Sequence, residues 1–215
     1  MVGWLAGHKS PNGIPLLSGL EDISINNDGL KALCAAFGTT SAAPMIHIKG
    51  HTPEDDLQSV KGASSKSIMP IDLLNLWQNF NTGNNKIDLV AIGSPHASTS
   101  ECLKFLELLM DKNEVVNVPT ILTVGRDTLV KLEEQGHLNQ LTKLGVQVVP
   151  DICWCSITEP IFPSKTQTLV TNSGKYAHYG KGLTGRNVRF GSLENCASAS
   201  INGYVDDEFP QWLMA

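Results

Sequence analysis

The sequence predicts an α/β fold: a parallel, doubly wound sheet built from βα repeats. Three observations carry that expectation. From residue 87 onward, short apolar runs alternate with stretches of helical period, the pattern of strands joined by crossover helices. Each apolar run is followed at once by a loop of small, polar or metal-capable residues. The first intervening helix opens on Ser98-Thr99-Ser100-Glu101, a capping box in which the serine and the glutamate satisfy each other's backbone donors.

Taken in order, the chain opens on the apolar stretch Val2-Gly3-Trp4-Leu5-Ala6-Gly7 and runs into a turn-rich segment over 9–13. Asp28 is the expected N-cap of a helix over 29–37. A short strand is expected over 44–48, and a polar surface helix or loop over 51–67. Ile71, Leu74, Trp77 and Phe80 recur at helical spacing and predict a helix over 71–80. Strands follow over 87–92, 120–123, 146–149, 168–170 and 187–190. Between them lie the helix reaching residue 111, a helical pair over 127–135 and 138–144 closed by Gly145, and a proline-rich loop over 159–164. A last helix is expected over 192–200. Residues 1–82 read less regularly than the βα core at 83–215, and no linker or low-complexity segment divides them.

Composition narrows the function classes. The chain has 215 residues, enough for one sizeable α/β domain or two small ones. Net charge is −5 with no basic run, which argues against nucleic acid and membrane-surface partners. No apolar run reaches the roughly 18 residues a membrane span needs. The first six residues lack the basic and long apolar regions of a signal peptide. Five cysteines, an odd number, do not form a disulfide framework and point to a reducing, cytoplasmic compartment. Cys34 and Cys102 sit on helical patterns, where a free thiol behaves as a small core residue.

The strand-end loops hold the candidate site. In parallel α/β sheets, loops leaving the carboxyl ends of the strands share one edge, and ligands bind there. Gly93-Ser94-Pro95-His96 is a turn that aims His96 at that edge. Arg126, after Val124-Gly125, can grip a carboxylate in a bidentate fork. Asp151-Ile152-Cys153-Trp154-Cys155 is too tightly spaced for a zinc pair. If the stretch is extended, Cys153 and Cys155 face opposite ways and at most one is a ligand. Asn172-Ser173-Gly174-Lys175 reads as an anion cradle at a helix start, but it lacks the spacing of a P-loop. His178 and Tyr179 add groups suited to proton transfer or hydrogen bonding. No strand is followed by Gly-x-Gly-x-x-Gly, so a dinucleotide-binding domain is excluded.

The set Gly93–His96, Asp151–Cys153, Thr171–Tyr179 and Phe190-Gly191-Ser192-Leu193-Glu194-Asn195-Cys196 resembles the catalytic part of aconitase X. Val2–Gly7 and Gly50-His51-Thr52-Pro53-Glu54 fit the same family, so the likeness covers nearly the whole chain. The resemblance implies an aconitase-like domain of an iron–sulfur hydro-lyase that dehydrates cis-3-hydroxy-L-proline or mevalonate 5-phosphate. It implies a cluster, [2Fe-2S] or [4Fe-4S], with Cys153 and Cys196 at ligand positions and Ser94 where some relatives carry cysteine. The Ser94 turn tilts the reading toward the hydroxyproline type. Family members are longer, so the chain matches the C-terminal part of the catalytic region. An N-terminal portion and a small swivelling domain or subunit are the implied partners, and an exposed apolar face over residues 1–82 is expected.

For the dehydration the resemblance implies, Ser173 or Lys175 is the candidate for proton handling, with His178 or His96 orienting. Arg126, Asn172, Tyr179 and the N–H groups near Ser173 would hold the substrate. A chain that keeps only the fold, without catalysis, is the competing reading.

Overall fold

The apolar runs become five parallel strands in one sheet. This arrangement comes from a computed structural model that describes residues 1–54 and 62–213. Residues 55–61, within the stretch expected to be a polar surface segment, lie outside the described residues. The chain divides into two compact units, Met1–Trp77 and Gln78–Ala215.

The first unit holds α1 (Val2–Lys9), β1 (Leu16–Leu17), α2 (Asn27–Phe37), β2 (His47–Ile48) and most of α3 (Pro70–Phe80). Two glycines in α1 weaken its intrinsic helicity, and periodicity over so few residues does not announce it. Packing makes it. A Cβ on Gly3 would lie 2.0 Å from the Leu33 carbonyl oxygen, so α1 can meet α2 only where the side chain is absent. The Thr40 hydroxyl fastens the contact by donating to the Trp4 carbonyl at 2.7 Å.

Two expectations shift in this unit. The cap of α2 is Asn26, whose side chain accepts from the Gly29 N–H at 2.8 Å, while Asp28 sits in the first turn. The strand expected over 44–48 shrinks to His47–Ile48, paired in parallel with Leu16–Leu17, an element too short to show alternation. Ala6, Phe37, Ile46 and Ile48 form the core of the unit. Ile14, Ile23, Met45, Met69 and Ile71 stand about half exposed, so the surface of 1–82 is not uniformly polar.

The second unit runs β3 (Leu89–Ala97), α4 (Thr99–Lys112), β4 (Thr120–Val124), α5 (Arg126–Glu134), α6 (His137–Lys143), β5 (Val146–Pro150), β6 (Thr168–Thr171), α7 (Gly174–Thr184), β7 (Asn187–Phe190) and α8 (Leu193–Asn202). The Ser98–Glu101 capping box is present as expected. Along β3, β4 and β6, Val90, Ile92, Leu122, Val124 and Val170 face one cluster with residues of α4, α5, α6 and α8. Leu89, Ala91, Ile121 and Leu169, alternating with them, are buried as well. Burial on both faces explains why the runs are continuously apolar. Leu109 and Leu122 are fully enclosed, and truncating either to alanine costs about 2–5 kcal/mol.

Strand order sets where a ligand can enter. β3 leads outward through β4 to β5 on one side, and β6 and β7 extend the sheet on the other. The order reverses at β3, the kind of point where doubly wound sheets bind ligands beyond the carboxyl ends of their strands.

Candidate active site at the carboxyl edge of the sheet

The β3 end is the centre of this edge. The sequence reads Gly93-Ser94-Pro95-His96 as a turn; instead β3 continues to Ala97, with a register shift against β4 between Ile92 and Ala97. Gly93 makes the shift possible. Its φ is 99°, and a Cβ there would lie 2.2 Å from the Thr123 carbonyl oxygen. The Thr123 hydroxyl donates to the Gly93 carbonyl at 2.6 Å, holding β3 against β4 through the irregularity.

Three further bonds join neighbouring loops to this segment. Ser173, at the β6 end, donates its hydroxyl to the Ser94 carbonyl and accepts the Tyr176 N–H at 3.0 Å as N-cap of α7. His96 Nε2 lies 3.0 Å from the Ile152 carbonyl in the β5 loop. Trp154 Nε1 donates to the Ile92 carbonyl at 2.8 Å, and its ring is buried. The loops after β3, β5 and β6 are thus tied across the switch point. The Ser94 hydroxyl itself is buried without a partner in the structure.

The cysteine loop is not extended. Trp154–Ser156 forms a 3-10 turn with Cys153 as its N-cap. The extended conformation behind the expectation of opposed thiols is therefore corrected: the stretch turns at Trp154. Burial pushes the Cys155 thiol up, the neighbouring Cys153 adds to this, and the Lys175 ammonium works against it. Cys153 is exposed and Cys155 half-buried.

The remaining candidates divide. Asn172, Lys175 and Tyr179 are half-buried around the start of α7. His178 is exposed on α7, its ring edge-on to Tyr179 at 4.8 Å, and partial burial pulls its imidazole down. Arg126 starts α5, with its side chain 80% exposed. Its guanidinium meets Asp151 at 2.7 Å and its backbone N–H donates to the same carboxylate at 2.9 Å. Those bonds hold the Asp151 carboxyl below the usual carboxylate range. Cys196 lies in the first turns of α8 but is fully enclosed in the core cluster, where burial, with the Glu194 carboxylate adding, drives its thiol up.

Several residues of this edge escape a reading by motif. Asp151, Thr123 and Tyr176 have no chemistry-bearing spacing. Asp151 could have been suspected from its place opening the cysteine loop. Tyr176 is buried against Trp154, with ring centroids 5.1 Å apart, and its hydroxyl has no partner in the structure.

An iron–sulfur group can be tested against these donors. Cys153 suits a ligand, being an exposed thiol at the strand edge; Cys196 is enclosed, and position 94 offers a hydroxyl. Among the described residues no group of three His, Cys, Asp or Glu side chains comes together to hold a metal. The described residues do not by themselves fit a complete cluster.

A parallel α/β unit whose strand-end loops are latched across a switch point is a doubly wound domain, the class whose ligands bind at the carboxyl edge. The chain belongs to the aconitase X family: residues 87–202 match the aconitase X third domain and residues 1–76 the second domain. It is 36% identical, over 99% of its length, to a cis-3-hydroxy-L-proline dehydratase of Hypocrea jecorina, of which it spans 37%. It is 38% identical, again over 99%, to a cis-3-hydroxy-L-proline dehydratase of Pseudomonas aeruginosa, spanning 38% of that protein. The crystal structure of Thermococcus kodakaraensis aconitase X in its holo form superposes with a TM-score of 0.80 at 25% identity. That match covers 92% of this chain and 50% of the other. Well under half the length of the two dehydratases is therefore represented here. Among the described residues no helix is long and apolar enough to cross a membrane.

Proposed function

We propose that this chain is part of an aconitase X hydro-lyase that dehydrates a small hydroxy acid, cis-3-hydroxy-L-proline. The observation that supports it most is the joining of the β3, β5 and β6 loops at the switch point, on the motifs that resemble those of the family. The two dehydratases matching along 99% of the chain favour the hydroxyproline substrate.

Dehydration of a β-hydroxy acid removes a proton from the α-carbon and expels the β-hydroxyl as water. The α-carbon needs a base within about 3 Å. In this reading Ser173 is that base once its own hydroxyl proton has passed to the Lys175 amine. Its oxygen lies at the α7 N-terminus and already accepts the Tyr176 N–H, so developing negative charge there is stabilised by the amide and the helix dipole. To act, the hydroxyl must turn from the Ser94 carbonyl, which an oxyanion would repel. Lys175, one position into the same helix turn from Gly174, is the candidate proton donor to the leaving hydroxyl. Arg126, Asn172 and Tyr179 would hold the carboxylate; Arg126 would share its fork between Asp151 and substrate. His96 orients the β5 loop through Ile152, and His178 stays a candidate for orienting Tyr179.

The reading also assigns the parent enzyme an iron–sulfur cofactor to which Cys153 and Cys196 contribute. Further ligands would come from the N-terminal portion or the swivelling domain. Five unpaired thiols support a reducing, cytoplasmic setting.

The test is Ser173→Ala beside Ser173→Asn in the complete enzyme. Asparagine keeps the cap but cannot take the proton. Both are expected to lower kcat by about 10²–10⁴. Asparagine turning over at the wild-type rate, with alanine impaired, reduces Ser173 to a cap and overturns its role as base.

A further inference from the structure

The sheet has a second edge. At the amino ends of β3, β4 and β6 lies a cleft of about 1010 Å³, lined wholly by residues of the second unit. Its walls are the start of β3, the segment before β4, the proline-rich loop and the turn after α8. Hydrogen bonds hold those walls together: the Ile87 N–H donates to the Gly203 carbonyl at 2.9 Å, and the Asn117 side-chain amide to the Ile201 carbonyl at 2.9 Å. Ile87, Val118 and Ile201 give the cleft a buried apolar lining, and Tyr204 stands about half exposed beside it.

Four polar side chains on these walls have capacity to spare. Asp88 Oδ2 accepts the N–H groups of Gln167 at 2.9 Å and Thr168 at 3.1 Å, which fixes the carboxylate and leaves Oδ1 without a hydrogen bond among the described residues. Thr166, the residue before Gln167, is 1% exposed, and its hydroxyl has no partner in the structure. An unpaired buried hydroxyl destabilises the fold, and a ligand that pairs with it removes that cost. Lys86 and Lys165 stand on two different walls, and among the described residues neither ammonium has a partner. A fixed carboxylate oxygen and a free hydroxyl accept from an ammonium, while two unpaired lysines take a carboxylate. The Glu159 carboxylate, also on the wall, opposes a polyanion such as a phosphate. Both charges on one ligand make a zwitterion, and the volume and apolar lining call for a large hydrocarbon body.

We propose that this cleft binds a free amino acid with a large apolar side chain, at the edge of the sheet opposite the strand-end loops. The ligand ammonium donates to Asp88 Oδ1 and the Thr166 hydroxyl, its carboxylate meets Lys86 and Lys165, and its side chain lies over Ile87, Val118 and Ile201. The site stands on the amino edge alone and does not rest on the hydro-lyase reading.

The experiment titrates L-phenylalanine into the isotope-labelled full chain and follows the backbone amides by NMR. Saturable shifts are expected at residues 86–88, 118, 165–167 and 203–204, and none at 172–179. Phenethylamine lacks the carboxylate and hydrocinnamate lacks the ammonium; each is expected to bind about tenfold more weakly than phenylalanine. Thr166→Val keeps the shape of the side chain and removes the hydroxyl. It is expected to weaken binding about tenfold and to leave a Tm no lower than the wild type's, because the group discarded is buried and unpaired. Four results would each overturn the proposal: no saturable shift at the amino edge, hydrocinnamate or phenethylamine binding as tightly as phenylalanine, unchanged affinity in Thr166→Val, or a lowered Tm in that variant. Shifts confined to 172–179 would overturn it as well, and would seat the amino acid in the candidate active site.

Discussion

Gly93→Ala is the substitution whose effect can be worked furthest from the geometry. The residue has a φ of 99°, where a side chain costs about 1–2 kcal/mol. The added Cβ would lie 2.2 Å from the Thr123 carbonyl oxygen and 2.6 Å from its hydroxyl oxygen, and both belong to a buried β-strand that yields little. Overpacking of that kind adds about 1–3 kcal/mol. Against these stands a gain of about 0.4–1 kcal/mol, because alanine restricts the unfolded chain. The net is a loss of about 3 kcal/mol, or a fall in Tm of about 6–12 °C for a chain of this size. Gly125→Ala is the control: it lies in the next strand-end loop, at a φ of −75°, with open space where its Cβ would go. Urea denaturation of both variants reads the difference. A Gly93→Ala chain within 1 kcal/mol of Gly125→Ala would refute the reasoning, because the bulge would then not depend on a missing side chain.

Trp154→Phe removes the donor to the buried Ile92 carbonyl and is expected to cost about 1–3 kcal/mol in urea, with a loss of near-UV circular dichroism. Asp151 carries a pH prediction. Its carboxyl lies below the ordinary value, so its contribution to stability is present above about pH 3.9 and is lost as pH falls through the lowered midpoint. Arg126→Ala should move the Asp151 midpoint upward only part of the way, since the main-chain N–H remains; an unmoved midpoint by carboxyl-detected NMR would contradict this. Arg189, buried on β7, donates to the carbonyls of Gly83 and Asp206 and to Asp207. Arg189→Leu should speed amide exchange over residues 204–207, and unchanged exchange would count against that anchoring. Ser98→Ala breaks the capping box of α4 and is expected to cost about 1 kcal/mol by thermal melting.

The βα core was legible in the sequence because its periods are long and its caps chemical. Strands and helices from residue 87 onward fall within a few residues of the expected positions, and Ser98–Glu101 caps as read. Less was legible in the first unit, where α1 depends on the contact of Gly3 with α2 and β1 and β2 are two residues each. Tertiary contacts override local preference in such pieces. At the site, spacing identified the loops but not their conformation. Gly93–His96 continues a strand, and Cys153–Cys155 folds back on itself, because packing of Gly93 on Thr123 and of Trp154 under Ile92 decides both. The Arg126–Asp151 pair spans two loops and has no signature along one chain.

The latches across the switch point end on main-chain oxygens, those of Ile92, Ser94 and Ile152. Every amino acid carries such an oxygen. Mutational drift at positions 92, 94 and 152 can therefore exchange side chains without unfastening the loops, whereas positions 96, 154 and 173 supply the side chains that fasten and are not interchangeable. Exchanging Ser94 for cysteine would change the chemistry offered at that point and leave the frame around it standing.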